Sequence, residues 1–162
     1  MAVDLILIRH GESEANVGLS DDPDCALTEL GLEQARRLAH QLTEYDLRGF
    51  AALTSPYRRA RQTAAEIEAI TGLPFTVEEA VREWGAAATI DGRHYPVESG
   101  EELILRLEDF LRRYEGRKLV ITSHAAPIGV LLALARGERP EVSWQLWEGI
   151  GNCCLRRVST IP

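Results

Sequence analysis

The sequence predicts an α/β fold, a three-layer α/β/α sandwich around a mostly parallel central sheet. Short aliphatic runs without a helical period alternate with amphipathic helical segments, the pattern of strands joined by right-handed helical crossovers. Three of those runs end abruptly in polar residues of matching character: Val3–Ile8 before Arg9-His10-Gly11, Ala51–Thr54 before Ser55-Pro56, and Leu119–Thr122 before Ser123-His124-Ala125. No internal repeat, low-complexity tract or linker divides the 162 residues, so residues 1–162 read as a single domain.

The elements follow in order. Val3–Ile8 is interrupted only by Asp4 and reads as a strand buried on both faces. Glu14–Ala26 is polar and turn-rich, a loop over the sheet edge. Thr28 is a natural N-cap for a helix running to about Tyr45, with Ala35, Leu38, Ala39 and Leu42 on its apolar face and His40 as a surface residue. Phe50–Thr54 is the second strand. Ser55 as cap and Pro56 at the first helical position predict a helix from there to about Ile70, stopped by Gly72 and Pro74. Phe75–Val77 is a short strand. Residues 84–100 show no period and read as a lid loop over the crevice, with Arg93, His94 and Tyr95 as candidate substrate contacts, equally readable as an ordered surface loop. Ser99 with Glu102 forms a capping-box pattern before a helix whose face is Leu103, Leu107, Phe110, Leu111 and Tyr114. Leu119–Thr122 is the third main strand, Pro127 opens an apolar helix through Ile128–Ala135, and Cys153–Val158 reads as a final edge strand. Trp144 and Trp147 leave internal packing and a dimer contact both open.

Bulk properties narrow the function classes. A formal net charge of −7 argues against nucleic acid or an anionic membrane as partner, since both reward clustered lysine and arginine. Cys25, Cys153 and Cys154 lack metal-type spacing, and adjacent cysteines in a strand point to opposite faces, so reduced thiols and a cytoplasmic setting are expected. No signal peptide or membrane span is expected.

Open parallel sheets bind ligands beyond the carboxyl ends of their strands. If the three runs are neighbours, Arg9, His10, Arg59 and His124 enter one crevice. Three arginines, Arg58, Arg59 and Arg61, at the start of one helix oppose its dipole, and a bound anion is a reason for at least Arg59 to be there. Two imidazoles and two guanidiniums suit a phosphoryl group: arginine matches its spread charge, and a neutral histidine can attack phosphorus. A general acid is then needed, and Glu79, Glu83, Glu98 and Glu12 are the candidates. There is no phosphate-binding G-x-x-x-x-G-K-[ST] loop, no dinucleotide G-x-G-x-x-G after a strand, no G-x-S-x-G elbow and no H-x-x-x-H pair, so neither a metal nor a cofactor is expected.

Five blocks, in order along nearly the whole chain, resemble the histidine phosphatase superfamily, which includes the cofactor-dependent phosphoglycerate mutases. They are Arg9-His10-Gly11-Glu12-Ser13 with Asn16; Leu27-Thr28-Glu29-Leu30-Gly31 with Gln34-Ala35; Ser55–Ala60 with Gln62-Thr63-Ala64; Glu98-Ser99 with Arg106; and Val120–His124. The resemblance implies a phosphoglycerate mutase-like sandwich, a nucleophilic His10 that becomes a phosphohistidine, and Arg9, Arg59 and His124 as a phosphoryl clamp. It further implies Glu83 as proton donor and later as base, with Glu79 in reserve, and Asn16, Ser13 and the backbone of Ala125 lining the phosphate pocket. Ala125 replaces the family's usual glycine, and Gly85-Ala86-Ala87-Ala88 replaces its G-x-W-E-G. With little room for the mutases' long insertions, the implied activity is a metal-independent phosphomonoesterase acting on a small phosphorylated metabolite. The alternatives are phosphoglycerate mutase-type transfer, removal of phosphate from a phosphohistidine protein, and non-catalytic phospholigand binding.

Overall fold

The computed structural model describes residues 2–162. The central sheet has five strands: β1 (Asp4–Arg9), β2 (Phe50–Thr54), β3 (Phe75–Val77), β6 (Lys118–Ser123) and β7 (Leu155–Ser159), in the order β3-β2-β6-β1-β7. All neighbours are parallel except β7, which runs antiparallel along β1 at the edge. The register places Arg9 opposite Ser123 and Thr54 opposite Thr122, so the three polar strand ends lie side by side at one level.

Both faces of the sheet are covered, which is why its inner strands are aliphatic throughout. On β1, Leu5 and Leu7 pack with Leu119 and Ile121 of β6 against α3 (Gly100–Arg113) and α4 (Ala125–Ala135), through Leu103, Leu107, Phe110, Ile128 and Leu131. Ile6 and Ile8 face the opposite way, with Val120, onto Leu38 and Leu42 of α1 (Glu29–Leu42) and Ile67 of α2 (Arg58–Thr71). Asp4 is buried and is held by the Arg157 guanidinium of β7 at 2.8 Å.

The helix ends combine expected and corrected features. Thr28 caps α1 by accepting the Gly31 N–H, and Ser99 with Glu102 forms the full capping box of α3. The second helix begins later than Ser55-Pro56 predicts: α2 starts at Arg58 with Tyr57 as its N-cap residue in extended backbone, and the Ser55 hydroxyl accepts the Tyr57 N–H at 3.2 Å and pairs with the His124 ring. The fourth helix begins earlier than Pro127. His124 is its N-cap residue and Pro127 is its third residue, where a missing N–H costs nothing. The two cysteines Cys153 and Cys154 precede β7 rather than lying in it, since Cys153 has φ 53° and turns the chain.

Residues 84–100 are more ordered than an aperiodic loop. They contain a β-hairpin, β4 (Ala88–Ile90) and β5 (Arg93–Tyr95), closed by Asp91-Gly92. Both turn residues have positive φ (49° and 78°), as a two-residue hairpin turn of the Asp-Gly kind requires. Trp147 packs internally, edge-on to Trp84 at 5.9 Å, whereas Trp144 is exposed.

Close backbone packing explains two glycines. A Cβ on Gly31 would fall 2.0 Å from the Glu12 carbonyl oxygen, and one on Gly11 would fall 2.4 Å from the Gly31 carbonyl oxygen. The first turn of α1 thus presses directly on the loop that follows β1.

Candidate active site

His10 leaves β1 with its backbone N–H bonded to the Ser123 carbonyl and only 3% of its surface exposed. Its Nδ1 lies 2.7 Å from the Gly11 carbonyl oxygen, which can only accept, so Nδ1 carries the proton. Nε2 is then a lone-pair acceptor, and the Arg59 Nε–H donates to it at 3.2 Å. The tautomer is therefore fixed by two groups with no freedom in their roles. Burial pushes the His10 pKa well below its ordinary 6.5, and the neighbouring His124, Arg59 and Arg9 push the same way.

His124 stands 5.2 Å from His10, ring centre to ring centre, in an edge-on arrangement. Its Nε2 pairs with the Ser55 hydroxyl at 2.8 Å. Its Nδ1 is 3.3 Å from Glu83 Oε2, within ion-pair reach but not aligned for a hydrogen bond. Burial, with help from Arg59 and Arg9, lowers the pKa of His124 despite the pull of Glu83.

Arg59, on the first turn of α2, donates to the Pro23 carbonyl at 2.7 Å and reaches Glu83 Oε2 at 3.4 Å. Glu83 also accepts the Trp84 N–H at 2.9 Å. Burial raises the Glu83 pKa, but His124, the Trp84 N–H and Arg59 together outweigh it and hold the carboxyl at about 2. Arg9 donates to the Ile150 carbonyl at 2.8 Å, while its Nε is buried without an acceptor. Two buried nitrogens of the site, Arg9 Nε and His124 Nδ1, thus lack hydrogen-bond partners, where buried polar atoms ordinarily find one. The N-terminus of α4, with the free amide of Ala125, opens next to His124, and helix N-termini favour anions.

The remaining expected residues divide. Ser13 is buried and joined to Asn16 by its hydroxyl at 3.0 Å. Glu79 is not at the histidines: Tyr95 donates to it at 3.0 Å and Arg93 pairs with it, because it anchors the hairpin. Glu98 forms a half-buried fork with Arg106, and Glu12 accepts from Thr28. Arg93 and His94 are exposed on the hairpin, and Tyr95 is buried under it. Three neighbours of the site escape sequence reasoning. Ser55 reads as a helix cap, Tyr57 as a helix residue, and Asn152 carries no signal. Tyr57 is edge-on to His124 at 5.2 Å, carries the Arg59 guanidinium over its ring at 5.0 Å, and packs beneath Ala88, Ile90 and Tyr95 of the hairpin.

Two buried imidazoles, two guanidiniums, a helix N-terminus and one carboxylate at parallel strand ends define a pocket for a tetrahedral anion next to a group that can carry a proton. The comparisons agree with that class. The family model described as the histidine phosphatase superfamily (branch 1) matches residues 5–96. The chain is similar to the uncharacterized phosphatase PhoE of Bacillus subtilis, at 30% identity over 173 residues covering 94% of this chain and 86% of that one. It is also similar to the protein named probable phosphatase C1620.13 of Schizosaccharomyces pombe, at 26% identity covering 93% of this chain but 64% of the longer relative. The solved structure of the mycobacterial glucosyl-3-phosphoglycerate phosphatase Rv2419c with VO3 shares the fold, with a TM-score of 0.70 at 23% identity, covering 96% of this chain and 90% of that one. The chain belongs to the histidine phosphatase superfamily and is an enzyme of the histidine-phosphatase type.

Proposed function

We propose that this enzyme hydrolyses the monoester of a small phosphorylated metabolite, without a metal, through a phosphohistidine on His10. The observation that carries the reading is the tautomer of His10: its Nδ1 proton is fixed on Gly11, leaving the Nε2 lone pair beside Arg59 and His124. That lone pair attacks phosphorus, the phosphorus–oxygen ester bond breaks, and the leaving oxygen takes a proton from Glu83. Water then gives a proton back to the Glu83 carboxylate and attacks phosphorus. The phosphorus–nitrogen bond breaks, releasing inorganic phosphate and restoring neutral His10.

A carboxyl held at about 2 is ionised in the free protein, so it needs a reason to carry a proton in the complex. The substrate supplies one. A phosphoryl dianion draws the Arg59 and His124 donors onto its own oxygens and sets its charge beside Glu83, and both effects raise the carboxyl's pKa. Glu83 becomes an acid only when the pocket is filled. Asn16, Ser13, Arg9 and the Ala125 amide take the other phosphoryl oxygens in this reading.

The test is p-nitrophenyl phosphate hydrolysis in chelator, for the wild type and His10→Ala. Turnover lost in the variant, with an acid-labile phosphoenzyme trapped in the wild type, is expected. Equal rates in the two proteins would refute the nucleophile. A mutase would convert 3-phosphoglycerate into its 2-isomer without releasing phosphate, and a binding domain would take up phosphate without turnover.

A further inference from the structure

The last loop of the chain reaches back to the first. Asn152, just before β7, lies against the carbonyl of His10, its Nδ2 at 3.3 Å, and against Asn16 Oδ1 at 3.1 Å. The orientation of both amides follows from backbone groups that cannot change role. The Ser13 N–H can only donate, so the Asn16 atom 3.0 Å from it is the oxygen. The His10 carbonyl can only accept, so the Asn152 atom facing it is the nitrogen. The two hydrogens of Asn152 Nδ2 serve the His10 carbonyl and the Asn16 oxygen.

Asn16 Oδ1 therefore receives three donors: the Ser13 N–H, the Ser13 hydroxyl and Asn152 Nδ2. The amide cannot flip without setting its own N–H bonds against the Ser13 N–H and Asn152 Nδ2, neither of which can accept. Its oxygen is taken up by these three donors, and its Nδ2 is left as the donor of an exposed side chain on the loop that follows His10. The neighbouring residue strengthens the link, because the Cys153 N–H donates to the carbonyls of Arg9 (3.0 Å) and His10 (3.2 Å).

We infer that Asn152 is a positioning residue for phosphate binding: it locks the Asn16 side chain with its N–H face toward the phosphoryl oxygens and ties the His10 backbone to the same point. This rests on the phosphatase reading, in which Asn16 contacts the phosphoryl group. Asn152 itself touches no substrate.

The test measures p-nitrophenyl phosphate kinetics and competitive inhibition by orthovanadate for the wild type, Asn152→Ala, Asn152→Asp, Asn16→Ala and the Asn16→Ala/Asn152→Ala double variant, with thermal melting of each. Asn152→Ala should raise KM and the vanadate inhibition constant about tenfold, with kcat within threefold of the wild type. Asn152→Asp, which keeps the shape but replaces the donor with an acceptor, should do at least as much. In the Asn16→Ala background the Asn152 change should add less than twofold, since its route of action is gone. Equal inhibition constants for wild type and Asn152→Ala overturn the proposal. So does an undiminished further loss in the double variant, or a loss of kcat and melting temperature with KM unmoved. A wild type that neither hydrolyses the ester nor binds vanadate overturns the phosphatase reading itself, a result separable from failure of Asn152 alone.

Discussion

The strand-end pocket and the β4–β5 hairpin lie next to each other and are held together in opposite ways. In the pocket, His10, Arg59, His124 and Ser55 are buried, and the Gly11 carbonyl and Arg59 fix the tautomer of His10. The hairpin hangs on exposed ion pairs, Arg61 with Asp91 and Arg93 with Glu79, and on the small apolar cluster of Tyr57, Ala88, Ile90 and Tyr95. Exposed pairs contribute little, about 0–1 kcal/mol each. The contrast is one of anchoring: the pocket is fixed by buried, directional bonds, and the hairpin by exposed ion pairs and one small apolar cluster.

The largest effects should come from the pocket. His10→Ala should abolish turnover, lowering kcat by at least about 1,000-fold in a phosphate-release assay. Glu83→Gln should lower kcat by about 100- to 1,000-fold, because the substitution keeps the shape and removes the proton carrier. Its defect should shrink for esters with good leaving groups, and a defect independent of the leaving group would break the acid assignment. Gly31→Ala, which drives a methyl into the Glu12 carbonyl, should destabilise by about 1–3 kcal/mol in denaturant unfolding.

The acid side sharpens the contrast further. His10 titrates lower in the folded protein than its ordinary 6.5, so the unfolded chain takes up a proton that the folded one refuses. Stability should fall as pH drops below about 6.5, and fall less in His10→Ala. Glu83, at about 2 against an ordinary 4.5, adds a second loss below about pH 4.5. The acid limb of kcat/KM should likewise lie below pH 6.5, and Arg59→Ala should move it upward. Smallest of all, Tyr95→Phe removes one bond to Glu79 and should change KM about two- to fivefold with kcat nearly constant. A hairpin variant that damages kcat as severely as Glu83→Gln would dissolve the distinction.

The same contrast governs what could be read from residues alone. Leu5–Ile8, Ala51–Leu53 and Leu119–Ile121 announce buried strands, and parallel strand ends bring their polar successors together whatever the loops do. That logic reaches Arg9, His10, Arg59 and His124. Glu83 sits after a single 3₁₀ turn with no periodic pattern, and only the family resemblance singled it out. Asp91-Gly92 is a hairpin signal, but three-residue strands are too short to show alternation around it. Asn152 meets His10 across 142 positions through a turn set by a positive φ at Cys153, a geometry that no local pattern encodes. Ser55 looked like a helix cap because the residue that claims its hydroxyl lies 69 positions away.

The strand order carries a consequence for biosynthesis. β1 and β2 never touch, since β6 is inserted between them. A nascent chain that has already emerged with His10 and Arg59 has no sheet on which to align them until Lys118–Ser123 leaves the ribosome and slots into the gap. Hydrolytic competence is thus withheld from the growing polypeptide and switched on by a late docking event, which a series of stalled translation products of increasing length would expose as an abrupt onset of activity.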